Sequence, residues 1–198
     1  MKSTSMSLMD RLAGDGTDSD WQRLLLVYRP FVDSVVRGYP SLASQADDIT
    51  QEVMMVLMRE LPRFQRQRTG SFRVWLRGIT VNQLRIALRR SKKFQQSDGD
   101  GLSVAQQVDQ LSDPASLASQ QWDEEHDRMV LERIVQVVRG DFKEVTWTAF
   151  QRYAIDNQPP GEVAEELDVS LNSVLLAKSR VLRRMREEAA GLIDEWEK

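Results

Sequence analysis

The chain has no cysteine, so disulfides and thiolate chemistry are excluded. It has one histidine, His126, and a histidine metal site or catalytic triad needs more partners than that. Apolar runs such as VMMVLM fall far short of the ~20 residues that span a bilayer. No membrane insertion is expected. The first residues, MKSTSMSLMD, contain no apolar core for a signal peptide, so a cytoplasmic location is expected. No His-Glu metal spacing and no phosphate loop occur. Carboxylates are plentiful, but nothing arranges them for catalysis. No enzyme activity and no cofactor are expected.

Charge is where the sequence becomes informative. There are 27 Lys and Arg against 30 Asp and Glu, a net charge of −3, with a pI near 5.4. That average argues against nucleic acid, but the charge is segregated. In residues 59–93, Arg59, Arg63, Arg66, Arg68, Arg73, Arg77, Arg85, Arg89, Arg90, Lys92 and Lys93 face one acid, Glu60. In residues 170–186, Lys178, Arg180, Arg183, Arg184 and Arg186 face none. Residues 94–169 between them are acidic. Two basic islands on an acidic chain point to two polyanion contacts, although solvated helix faces would give the same pattern.

Periodicity reads almost entirely as helix. Trp21, Leu24, Leu25, Tyr28, Phe31, Val32 and Val35 recur at three and four, an amphipathic stripe. Pro30 should kink or restart it. A second helix opens around Ser44 to Asp48, runs through Ile49, Val53, Val56 and Leu57, and stops near Pro62. After a loop at Gly70, Ser71 is placed to cap a third helix. Its apolar face holds Phe72, Trp75, Leu76, Ile79, Gln83 and Ile86. Arg73 and Arg77 flank one side of that face, and Asn82, Arg85 and Arg89 the other. Residues 94–121 lose periodicity and become rich in Gln, Ser, Asp and Gly, the composition of a linker. Helices return from about Trp122. The expected fold is all-α: two small helical domains, 20–93 and 122–190, joined by a flexible acidic linker, with tails at 1–19 and 191–198.

The stretch PPGEVAEELDVSLNSVLLAKSRVLRRMREE reads as a helix-turn-helix. Pro159 and Pro160 introduce a short helix over 161–167. Asp168 occupies a left-handed corner position, and Ser170 caps the second helix. At 100° per residue, Leu171, Val174, Leu175, Val181, Leu182 and Met185 should face inward. Asn172, Ser173, Leu176, Ser179, Arg180, Arg183 and Arg184 should face outward. Lys178 falls amid the apolar face and should snorkel along it. On a DNA-reading model, Asn172 and Ser173 meet base edges, Leu176 touches a thymine methyl, and Arg180, Arg183 and Arg184 hold phosphates.

These segments together resemble a bacterial RNA polymerase sigma factor of the extracytoplasmic-function type, over about residues 20–188. QADDITQEVMMVLM is similar to the acidic helix by which the family docks on the polymerase clamp coiled coil. The resemblance implies Asp48, Gln51 and Glu52 as contacts there. FQRQRTGSFRVWLRGITVNQLRIALRR resembles the family's loop and helix that melt the minus-10 element. It implies Arg66, Arg68 and Ser71 in a loop that selects a flipped base. Asn82 would lie beside that pocket, Arg85 and Arg89 would approach phosphates, and Arg73 and Arg77 join the same basic surface. Phe72 and Trp75 read as core first. The second half is similar to the family's region four, which implies minus-35 contacts at Ser170, Asn172, Ser173, Leu176, Arg180, Arg183 and Arg184. Here the usual T-V-K-S-R is replaced by Ser173-Val174-Leu175-Leu176-Ala177, so a different minus-35 motif is expected. No region three is recognised. The implied partners are core polymerase (clamp coiled coil and flap), promoter DNA, and an anti-sigma or other regulatory protein. The implied location is the nucleoid. Two alternatives are a one-component helix-turn-helix regulator with an N-terminal sensing or dimerisation domain, and a helical adaptor that binds protein only.

Overall fold

Hydroxyl side chains set where several helices begin. The structure, a computed structural model, describes residues 7–65, 71–91 and 103–193, with Ser71 described by its backbone alone. Ser7 accepts from the Asp10 amide at 3.1 Å while the Asp10 carboxylate accepts from the Ser7 amide at 3.3 Å. This reciprocal box starts α1, Leu8–Ala13. Thr17 with Asp20 starts α2, Asp18–Arg37, in the same way, and Ser103 with Gln106 starts α5, Val104–Ser112. Each box satisfies two amides that the first helical turn leaves free. The remaining helices are α3, Ala46–Glu60, α4, Ser71–Ser91, α6, Leu117–Arg139, α7, Glu144–Phe150, α8, Pro160–Glu166, and α9, Leu171–Ala189. No strand occurs among the described residues, so the chain is all-α.

Helix α2 runs through Pro30 without a break, where an interruption is expected from the sequence. Leu24, Val27, Tyr28, Phe31 and Val32 are all buried around that position. Packing on both sides of the proline outweighs its missing hydrogen bond and the clash of its ring with the preceding turn, which together cost ~3 kcal/mol in a helix interior. The helix sits centrally, against α3 on one side and α6 on the other. Phe31 meets the Trp122 ring edge-on at 4.7 Å, and Tyr28 meets Phe72 at 5.2 Å.

The two halves share one core. Buried residues from Leu8 and Leu12 through α2, α3, α4 and α6 to Met185, Leu192 and Ile193 form a single cluster. A smaller cluster of Ala149, Val163, Ala164, Val174 and Ala177 holds the α8–α9 corner. The flexible linker expected over 94–121 is corrected over 103–121, which is helical from Val104 apart from residues 113–116. Val108 and Leu111 of α5 are buried beneath α4 and α6. Burying such side chains gains ~1.5–3 kcal/mol each, enough to order a segment whose composition is polar. The expected tails are also corrected over the described residues 7–19 and 191–193. Leu8 and Leu12 are fully buried, and Gly191, at φ 86°, turns Leu192 and Ile193 back into the core. A side chain is strained at that φ.

The α8–α9 corner follows the sequence reading closely. Asp168 sits at φ 51°, and the Ser170 hydroxyl accepts from the Ser173 amide at 3.1 Å. One orientation differs. The buried stripe of α9 is Val174, Ala177, Val181, Met185, Glu188 and Ala189, turned by roughly 50° from the leucine-rich stripe that a wheel favours. Leu171 and Leu175, expected inside, are 49% and 41% exposed. The reason is the close crossing with α8, where Val163 and Ala164 meet Val174 and Ala177. A leucine at either alanine would hold the helices apart.

Candidate nucleic-acid and protein interfaces

Helix α3 presents Asp48, Gln51 and Glu52 to solvent, with half-exposed Met55 one turn on. Ile49, Val53 and Leu57 on the opposite face anchor the helix in the core, so the acidic face is rigidly held. A groove of about 320 Å³ runs beside it, where Asp48, Gln51 and Glu52 face Gln83, Ile86 and Arg90 of α4. These are the three residues expected to meet polymerase, and they share one open surface.

The basic residues of α4 divide into two sets. Asn82 and Arg89 are exposed. Asn82 borders a cleft of about 340 Å³ lined by Val56, Trp75, Gly78 and Ile79. Gly78 leaves its floor open, since a Cβ there would meet nothing within 4 Å. Phe72 is buried and Trp75 half-buried, stacked with Phe64 at 4.7 Å, so both aromatics are core residues, as expected. Arg66 and Arg68 lie outside the described residues, and so does the Ser71 side chain.

The other set faces the second half of the chain. Arg77 is only 4% exposed. Its Nη1 donates to the Ser119 carbonyl and to Asp123 of α6, both at 3.4 Å. Arg73 reaches Asp123 at 3.2 Å and Asp127 at 3.1 Å. Arg85 donates to Asp109 of α5 at 2.8 Å and to the Ser112 hydroxyl at 3.1 Å. Burial pushes the Asp127 carboxyl up. The hydrogen bond and charge of His126, together with Arg73, outweigh that and leave it below its ordinary value. His126 is fully buried, with Nδ1 2.8 Å from Asp127 and Nε2 3.4 Å from the Tyr28 hydroxyl.

On α9, Asn172, Ser173, Leu176, Ser179, Arg180 and Arg183 are exposed, and Ser170 is exposed at the cap. Leu175 and Leu171 extend this face as a result of the helix rotation. Lys178 lies over the Tyr153 ring, 5.0 Å from its centre, along the packed side as expected. The same rotation carries Arg184 inward. It donates to Asp141 at 2.9 Å and pairs with Glu188 at 2.7 Å.

Glu188 is fully buried at the seam between the halves. Besides Arg184 it faces Arg11 of α1 and Arg23 of α2, each at 3.6 Å. Arg11 also pairs with Asp20 at 2.7 Å, and Arg23 and Arg184 both pair with Asp141. Three arginines and three carboxylates from α1, α2, α9 and the turn before α7 thus close one network. Burial raises the Asp141 carboxyl, but Arg23 and then Arg184 hold it below its ordinary value.

Asp123, Asp127, Asp141 and Glu188 are the functional candidates that the sequence reading does not single out. The available signal was the acidic run itself, opposite a helix with no acid of its own. What the run faces is fixed only by tertiary packing. Among the described residues no group of His, Cys, Asp and Glu could hold a metal ion, and no helix is long and apolar enough to cross a membrane.

Compared with known proteins, residues 24–94 match the family model for Sigma-70 region 2. The matched span runs from α2 to just beyond α4, so it contains the α3 acidic face, the Asn82 cleft and every arginine of α4. No curated protein matches the chain.

Proposed function

We propose that a chain carrying a Sigma-70 region 2 domain with these surfaces is an RNA polymerase sigma factor of the extracytoplasmic-function type. It joins core polymerase, directs it to particular promoters and assists opening of the duplex. Asp48, Gln51 and Glu52 dock on the clamp coiled coil. Arg66, Arg68, Ser71, Asn82 and Arg89, with Arg73, Arg77 and Arg85, hold the melted minus-10 strand. A basic surface tracks the phosphates, and the apolar cleft beside Asn82 receives a base that has left the stack. The α8–α9 corner is a helix-turn-helix that enters the major groove of the minus-35 element. Asn172, Ser173 and Leu176 face base edges there, and Ser170, Arg180 and Arg183 face the backbone. Arg184 joins them only when it leaves Asp141 and Glu188. The C-terminal half also meets the polymerase flap, and the complex works in the cytoplasm, at the nucleoid. An anti-sigma or other regulatory protein is a further partner.

The observation that carries this reading is the region 2 match over residues 24–94, which covers both proposed region 2 surfaces. The test is transcription from promoters of the source genome by core polymerase with and without the purified chain. Promoter-specific initiation that depends on the chain is expected. A chain that never associates with core polymerase, with inhibitory partners excluded, refutes the proposal. Arg180→Glu should abolish minus-35 binding and spare polymerase association, and equal loss of both would mean that α9 is structural.

A further inference from the structure

We infer that Leu175 and Leu176 make α9 a reader of thymine methyl groups, so that the upstream element it recognises carries thymines beside the base pair that Asn172 meets. The inference rests on the proposed function and names the base chemistry that its helix-turn-helix selects. The rotation of α9 supplies the surface. Val174 and Ala177 fill the crossing with α8, and Leu175 and Leu176 are left 41% and 40% exposed. At 100° per residue they lie on either side of Asn172, which points away from the buried stripe. Leu171, also exposed, extends the patch one turn before Leu175. These leucines add nothing to the core, and apolar side chains gathered on one exposed face mark a contact.

The charge around the patch chooses its occupant. Residues 170–186 contain no acid. Arg180 and Arg183 are exposed one and two turns beyond Leu176, and the N-terminus of the helix adds the positive end of its dipole. That field suits a polyanion. Polar readers on the face are few. The Ser173 hydroxyl lies 2.8 Å from that of Ser170 in the cap, and the Ser179 hydroxyl donates to the Leu175 carbonyl at 3.4 Å. Asn172 is left at the centre of the face, where it suits adenine N6 and N7. The thymine methyl is the apolar group that base edges offer in the major groove. A leucine over any other edge strips water from donors and acceptors and gives no hydrogen bond back. Thymine is therefore the base that leucines at these two positions favour.

Removing the methyl from the DNA tests this on the unaltered protein. Core polymerase carrying the chain selects binders from a random-sequence duplex library. The enriched upstream element is then synthesised twice, with thymine and with deoxyuridine, which lacks only the methyl. Thymines should be enriched in that element. A methyl covered by a leucine is worth about fourfold in affinity, so two should make wild type bind the thymine duplex about fifteenfold more tightly. The double variant Leu175→Ala, Leu176→Ala should bring that ratio below about threefold, with an unchanged melting temperature because both sites are exposed. Arg180→Ala should weaken both duplexes alike and keep the ratio. An enriched element without thymines, no enriched element, or a ratio that survives the double variant overturns the inference. Equal affinity for the two duplexes also overturns it and assigns the leucines to a protein contact. A chain that never joins polymerase refutes the sigma reading separately, and selection by the chain alone, followed by the same pair of duplexes, then decides the inference by the same outcomes.

Discussion

Replacing Glu188 with glutamine keeps the shape of a buried side chain and removes its charge. Three arginines then converge on a neutral amide, with only Asp20 and Asp141 left to balance them. Breaking a buried ion pair by removing one partner costs ~3–5 kcal/mol. The lower end applies here, because Arg11, Arg23 and Arg184 keep 26%, 23% and 21% of their side-chain surface and can turn partly to water. A loss of about 3 kcal/mol lowers the melting temperature of a chain this size by roughly 6–12 °C. In urea, with a slope of about 3 kcal/mol per molar, the midpoint falls by about 1 M. Urea unfolding followed by tryptophan fluorescence at neutral pH measures this. A second variant, Arg184→Met, removes the cation nearest Glu188 and should also destabilise. The double variant restores charge balance, so its loss should be smaller than the sum by at least about 1 kcal/mol. A midpoint shift under ~0.3 M for Glu188→Gln, or strict additivity in the cycle, would refute the reasoning.

Acid should open the same seam. Asp127 and Asp141 have folded pKa values lowered from the ordinary 3.8, so the stability they contribute is present above that value and lost as pH falls through the lowered ones. The melting temperature should therefore drop below about pH 4, and Asp141→Asn should flatten that drop; an unchanged slope counts against the ion pairs. Ala177→Leu should overfill the α8–α9 crossing and cost about 1–3 kcal/mol by thermal melting, and a neutral effect would mean the crossing is loose. Asp168→Ala should lose about 1 kcal/mol at the left-handed corner, whereas Asp168→Gly should be neutral or better in the same melts.

Helix positions were legible because apolar residues repeat every three or four positions, and the Ser170 cap and Asp168 corner were legible from local chemistry. The facing of α9 was not. Leu171, Leu175 and Leu182 outweigh Ala177 on any hydrophobic scale, yet small size at a close crossing decided which side went in. Helix α5 was hidden because only Val104, Val108 and Leu111 carry its stripe amid glutamines, serines and aspartates. Of the candidate sites, the residues are readable one helix at a time. The pairing of Arg77 with Asp123 joins positions 46 apart, and nothing local to either residue encodes it. Tertiary packing also turned Arg184 from an outward-facing cation into a partner of Glu188.

The seam between α1 and α9 has a consequence for synthesis. Arg11 and Glu188 are 177 positions apart (188 − 11), and Leu8 and Leu12 also await residues near the C-terminus. At ~5–20 residues per second, a ribosome needs roughly 9–35 s to travel between them. Through that interval the first helices have emerged while the α9 residues that complete their burial do not yet exist. Nascent chains therefore pass through a period with an apolar edge uncovered at α1, and slow stretches of translation late in the message would lengthen it.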